Sequence, residues 1–298
     1  MPQKVRAAGF PALSAYTYLV SVDLTRHPYE ALVADFLGRR FGVPELRRWT
    51  DGALAAILTQ SSPQALYARL VLSWDELPQA VREIALPPPE ELGPILYFPL
   101  RSLQCDLRPL PDNYPEQLAE WSERGGYVAT HTALAMLWAF EQGCLDPSKE
   151  QDLERLHATK LLEIVRSEAF PGDLYTEALA VLAYMSGPLS LDSSLFDRLA
   201  ESAQPLPGGG FRESTDTAGP SVHTSVLALW AFLERANPEL GRGGWIPESK
   251  LEPFRLKGAS DGGIPDSDAE FSGLLEAGSG RSDPRSLPAH LGRRGRDR

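Results

Sequence analysis

Three ten-residue stretches in the second half of the chain are apolar almost all round: residues 131–140, 175–184 and 223–232. The first and third align from His131-Thr132 and His223-Thr224, share six identical positions and start 92 residues apart. The middle copy, Tyr175-Thr176-Glu177-Ala178-Leu179-Ala180, splits that interval into steps of 44 and 48 residues. A helix that is apolar on every side is one buried on several sides. Between the copies run charged segments with a single apolar face, near Pro147–Arg166 and Asp192–Ala203, where Leu195, Phe196, Leu199 and Ala203 mark the stripe. Buried and exposed helices thus alternate over a period of about 45 residues, and such hairpins bury their faces only by stacking on one another. The expected fold class is all-α, with residues 116–236 as a helix-hairpin repeat body.

The flanking regions carry other patterns. Residues 1–86 read as an N-terminal helical region. Tyr29, Leu32, Val33, Phe36 and Leu37 recur at helical spacing behind Pro28 and stop before Gly42, a start and a stop in the places helices prefer. Further helices are expected near 51–60 and from Ser62-Pro63 through Leu66, Leu70 and Trp74. Residues 87–115 hold eight prolines and form a boundary or strap; Ile95-Leu96-Tyr97-Phe98 within it predicts that the strap lies against the body. Residues 237–298, rich in Gly, Pro, Ser, Asp and Arg, have no apolar period and are expected to be loosely ordered or disordered, with Trp245 docking locally and no regular structure beyond about 276.

Composition narrows the function classes. Hydrophobic residues make up 43% and charged residues 23% of the 298, the balance of a soluble globular chain. A net charge of −11 argues against a nucleic-acid face, which needs clustered Lys and Arg; the one basic run, Arg293 to Arg298, reads as a solvated tail. No apolar run is long enough to cross a membrane, and without a signal-peptide pattern a cytoplasmic location is expected by default. Cys105 and Cys144 stand apart from any CxxC pair and are expected as buried free thiols.

Each buried stretch follows a glycine and aromatic turn: Gly125-Gly126-Tyr127, Phe170-Pro171-Gly172 and Gly208-Gly209-Gly210-Phe211. A turn of this kind, then His-Thr and a helix of small residues, resembles the α/α toroid of protein prenyltransferase β subunits and terpene cyclases over about residues 116–236. The resemblance implies a ring of inner helices around a cavity, with the inner N-termini at one rim; an open α-solenoid is the alternative. It places His131, Tyr175 and His223 together at that rim, where helix N-termini offer free N–H groups and a positive potential. In that family zinc is held by Asp, Cys and His. Asp173 and His223 match two of these, but Tyr175 stands at the Cys position, so no tightly bound zinc and no other cofactor is expected. Six repeats close such a ring; three are recognisable, and residues 1–86 either supply degenerate others or build something else.

The residues themselves admit two readings. His131 and His223 suit general-base work or ligation, and equally suit capping their helices. Asp173, Glu177 and Asp216 are candidate acids, alone or as the carboxylate pair of glycoside chemistry. Tyr127, Trp138, Phe211 and Trp230 would line an apolar cavity or, as repeated aromatics, form core; Arg212 would hold an anionic group. Three functions follow: a toroid-type enzyme acting on an isoprenoid or other apolar substrate, by resemblance; a helical scaffold binding a peptide or protein; and a carbohydrate-active α/α-barrel enzyme. An apolar small molecule or a peptide is the expected partner.

Overall fold

Thirteen α-helices follow one another in the computed structural model, which describes residues 1–250 apart from 61, 206 and 207. The first half holds α1 (Gln3–Ala7), α2 (Gly9–Ser21), α3 (Pro28–Arg40), α4 (Thr50–Leu58), α5 (Gln79–Arg82), α6 (Pro89–Leu92) and α7 (Pro94–Leu103). The second holds α8 (Tyr114–Ser122), α9 (Gly126–Glu141), α10 (Glu150–Ser167), α11 (Asp173–Ser186), α12 (Ser193–Ala200) and α13 (Val222–Ala236). Among the described residues there is no strand; Phe211 alone makes isolated bridges, to Ala203 and Ser221. Pro28 opens α3 with its φ already helical, and Gly42, at φ +65, lets the chain leave it.

The three apolar stretches lie in α9, α11 and α13 and are buried, with α10 packed against α9 and α11, and α12 against α11 and α13. The ring then closes through the first half of the chain. α9 packs on α11 and α7, α11 on α13, α13 on α3, and both α3 and α7 on residues 63–70. Six inner elements therefore enclose one space, and α2, α4 and α8 lie against them from outside. The N-terminal turns of α3, α9, α11 and α13 meet through Glu30, Tyr127, Asp173 and His223. Their C-terminal ends meet through Arg40 with Glu234 and Tyr184 with Glu141, each at 2.7 Å. Contacts at both ends mean that these four inner helices run the same way, so the ring has an N-terminal and a C-terminal mouth.

Several expectations are corrected. Residues Pro63–Leu70 are 3₁₀, not α, and Trp74 belongs to a separate short 3₁₀ turn; Pro63 tightens the entry, and the run ends after two turns. Cys105 and Cys144 are not free thiols: they form a disulfide, with Cα atoms 6.0 Å apart, that ties the chain just past α7 to the chain just past α9. The start of the 237–298 region is not loose. Asn237, Trp245 and Ile246 are buried, and Trp245 does dock. The expected lack of structure beyond 276 and the basic run at Arg293 lie outside the described residues.

The glycine turns brace the ring. A side chain at Gly210 would lie 2.5 Å from Pro220 and 2.9 Å from Tyr18, so only glycine lets this turn press on α2, where Ser14 accepts the Gly210 N–H at 3.0 Å. No described helix is long and apolar enough to cross a membrane.

Candidate functional site

The ring surrounds a cavity of about 130 Å³. Leu32, Val33, Leu70, Leu134 and Leu227 form its aliphatic wall, and Tyr29, Tyr67, Trp138 and Trp230 add aromatic faces. Trp245 lines it from the C-terminal mouth, where Arg40, Glu234 and Glu141 also lie. At the other end the wall turns polar, with His131, Glu177 and His223.

That polar end is a network. Asp173 and Glu177 are four residues apart on α11, hence on one face. Tyr127 donates to Asp173 at 2.7 Å and Thr224 donates to its other oxygen at 2.8 Å. Glu177 accepts from Thr130 and sits 3.2 Å from His131 Nδ1. His223 stands in the middle. Its Nδ1 is 3.3 Å from Glu30, and its Nε2 is 3.6 Å from Glu177 and 3.9 Å from Asp173.

Charges set the protonation. Burial opposes a charged His223, but hydrogen bonds with Glu177 and Glu30 and the nearby carboxylate charges overcome it and push its pKa up to about 10. Burial likewise opposes charge on His131, and the Glu177 carboxylate outweighs it, raising His131 above the usual histidine range. Burial would raise Glu177 and Glu30, yet the paired histidines hold both below the usual carboxylate range. The mouth is thus a row of fixed opposite charges with His223 as an imidazolium at neutral pH.

Asp173, Glu177 and His223 offer ligand atoms that all lie within 4.8 Å of one another. Two carboxylates and an imidazole suit a hard or borderline divalent cation once His223 gives up its proton. The zinc set implied by the resemblance is not assembled. Tyr175, at its Cys position, points away from the cavity and donates to the Leu195 carbonyl at 2.6 Å, beneath the Arg198 guanidinium.

The structure therefore brings His131, Asp173, His223 and Tyr127 to one mouth and places Trp138 and Trp230 in the cavity wall. It turns Tyr175 outward. Phe211 is buried beside Phe232 away from the cavity, and Arg212 lies over the Phe170 ring, outside the wall. Asp216 sits in an exposed turn. Glu30, Thr130, Tyr29 and Tyr67 join the site with no sequence signal beyond their helical context. Asp173 also borders a second, outer cleft of about 300 Å³ with Tyr127, Phe170 and Glu213. No protein-family model, no curated protein and no solved structure matches this chain.

Proposed function

We propose that this chain is a ring-type enzyme that holds a small, largely apolar substrate in its cavity and carries out proton transfer at the cluster of Glu30, His131, Glu177 and His223. One observation carries the reading: an aromatic-lined cavity ends in an acid–base network around the buried Glu177 and not in more apolar wall. Apolar cavities with a few convergent polar groups and perturbed titrations are where ligands bind.

The chemistry of the mouth narrows the substrate. His223, with its pKa near 10, is too weak an acid to protonate an alkene; it is suited to donate a hydrogen bond to an oxygen that gains negative charge. His131, raised above the usual histidine range by Glu177, shares that carboxylate with His223 and is placed to relay a proton. A diphosphate would meet three carboxylates, Glu30, Asp173 and Glu177, so the isoprenoid diphosphates of the resembled family fit poorly. A cavity near 130 Å³ takes a body about the size of an aromatic ring. The substrate is therefore a ring-sized apolar molecule bearing a carbonyl or hydroxyl. An interior lined mainly by aromatic and aliphatic side chains offers sugar hydroxyls few partners, which argues against the carbohydrate reading. The Cys105–Cys144 disulfide favours an oxidising compartment over the cytoplasm expected by default.

The test is a screen of small cyclic ketones and alcohols by tryptophan fluorescence, since Trp138 and Trp230 face the cavity. A compound that quenches the wild type should be turned over, with turnover lost in the His131→Gln, His223→Gln double variant while the melting temperature falls only slightly. If no such compound binds, or if the double variant loses only stability, the histidines are braces and the reading fails.

A further inference from the structure

The C-terminal mouth, away from the acid–base cluster, is filled by Gly241-Arg242-Gly243-Gly244-Trp245-Ile246. The way it is filled resembles ligand recognition. Four hydrogen bonds go to the main chain of this segment and two are made by the Arg242 side chain. Arg40 donates to the Gly241 carbonyl at 2.5 Å, and Arg39 to the Trp245 carbonyl at 2.7 Å. The Tyr184 hydroxyl reaches the Gly243 carbonyl. Glu141 accepts the N–H of Trp245 at 2.8 Å. Bonds to the main chain do not depend on which side chains the segment carries; side-chain pockets then select among sequences.

Two pockets select. The Trp245 indole stacks flat on Phe36, with ring centroids 4.0 Å apart, and meets the edges of Trp230 and Trp138 at 5.1 and 5.6 Å. Arg242 pairs with Glu150 and Glu154 on α10. Between them the backbone runs so close to Arg40 that a side chain at Gly243 would lie 2.7 Å from its guanidinium. The indole N–H is buried without a partner, so the pocket reads the aromatic face and not the nitrogen.

We propose that this mouth is a peptide-binding site, held here by residues 241–246 as an internal ligand, and that it accepts in trans a segment of a partner protein carrying a basic residue, two glycines and an aromatic residue in that order. The internal copy is tethered by Asn237–Leu240 to the end of α13, so it competes at high effective concentration and keeps the mouth closed until a matching segment displaces it.

A fluorescein-labelled peptide of residues 239–247 tests this by fluorescence polarisation against the full chain. The wild type should bind it weakly. Trp245→Ala, which empties the aromatic pocket, should bind at least about tenfold tighter. Arg242→Ala removes only the two partly exposed ion pairs of the tethered copy with Glu150 and Glu154, keeps the fold and should bind about threefold tighter. Replacing the peptide tryptophan by alanine, or its second glycine by valine, should abolish binding, and replacing the tryptophan by phenylalanine should preserve it. Equal affinity for wild type and Arg242→Ala overturns the proposal, as does an absence of binding to a Trp245→Ala chain that melts cooperatively. The polarisation readout requires no turnover at the opposite mouth.

Discussion

The two mouths of the ring are built from the ends of the same helices and have opposite electrostatics. At the N-terminal mouth, Glu30 and Asp173 sit in the first turns of α3 and α11, where the helix dipole favours negative charge, and paired histidines pull Glu30 and Glu177 further down. At the C-terminal mouth the carboxylates of Glu141 and Glu234 face the unfavourable end of the dipole. Glu234 is matched by a bidentate pair with Arg40, 2.7 Å on both arms and almost fully buried. Glu141 has no such partner, and burial pushes its pKa up to about 7, against hydrogen bonds from Tyr184 and from the Trp245 N–H. One end of the ring carries fixed charges; the other carries a carboxyl that titrates near neutrality.

Four experiments break or sharpen this contrast. The largest effect is expected from Arg40→Ala, which leaves Glu234 buried and unpaired. It should cost about 3–5 kcal/mol in denaturant unfolding, and an equally large loss in His223→Gln would erase the contrast. Next comes reduction of the Cys105–Cys144 disulfide, which closes a loop of 39 residues. It should lower stability by roughly 2–4 kcal/mol, seen as a lower melting temperature with reductant.

The third concerns Glu141. Its folded pKa lies above the ordinary 4.5, so the folded state holds the proton more tightly than the unfolded one. Stability should therefore fall as pH rises from about 4.5 to about 7 and level off above that, by at most about 3 kcal/mol. Glu141→Gln should flatten this slope in urea titrations run across that range. The smallest effect belongs to His223. Its pKa is raised, so its contribution is complete below about 6.5 and is lost as pH rises through about 10. With its side chain 43% exposed, screening leaves about 1 kcal/mol, absent in His223→Gln.

The fold was legible where tertiary demands repeat. α9, α11 and α13 show in the sequence because each is buried on every side and each recurs. α3 shows through its own period of Tyr29, Leu32, Val33 and Phe36. The other two inner elements are altered by proline: residues 63–70, expected as a helix, are 3₁₀ behind Pro63, and α7, expected only as a strap against the body, is a helix that carries Pro99 inside it. Site residues follow the same logic. His131 and His223 stand at the start of the repeated stretches, and Asp173 begins the helix between them. Tyr175 misleads because it lies two residues from Asp173 on a helix, on the far side of the cylinder, while Glu177, four residues on, shares the Asp173 face. Glu30 comes from a helix with no repeat partner; Trp245, expected to dock, does so, while the glycine-rich stretch around it leaves no period to show where. The pairing of Cys105 with Cys144 depends on two helix ends meeting in space, which spacing alone does not reveal.

Ring closure also bears on how the chain is made. An open stack of hairpins folds piece by piece as each repeat leaves the ribosome. Here the Arg40–Glu234 pair joins residues 194 positions apart, and α3, already packed on α4 and on residues 63–70, gains its second neighbour within the ring only when α13 has been synthesised. Until then the early helices expose the faces that will line the cavity. The nascent chain is an unclosed arc with sticky edges, and it is most in need of chaperone protection just before its last inner helix emerges.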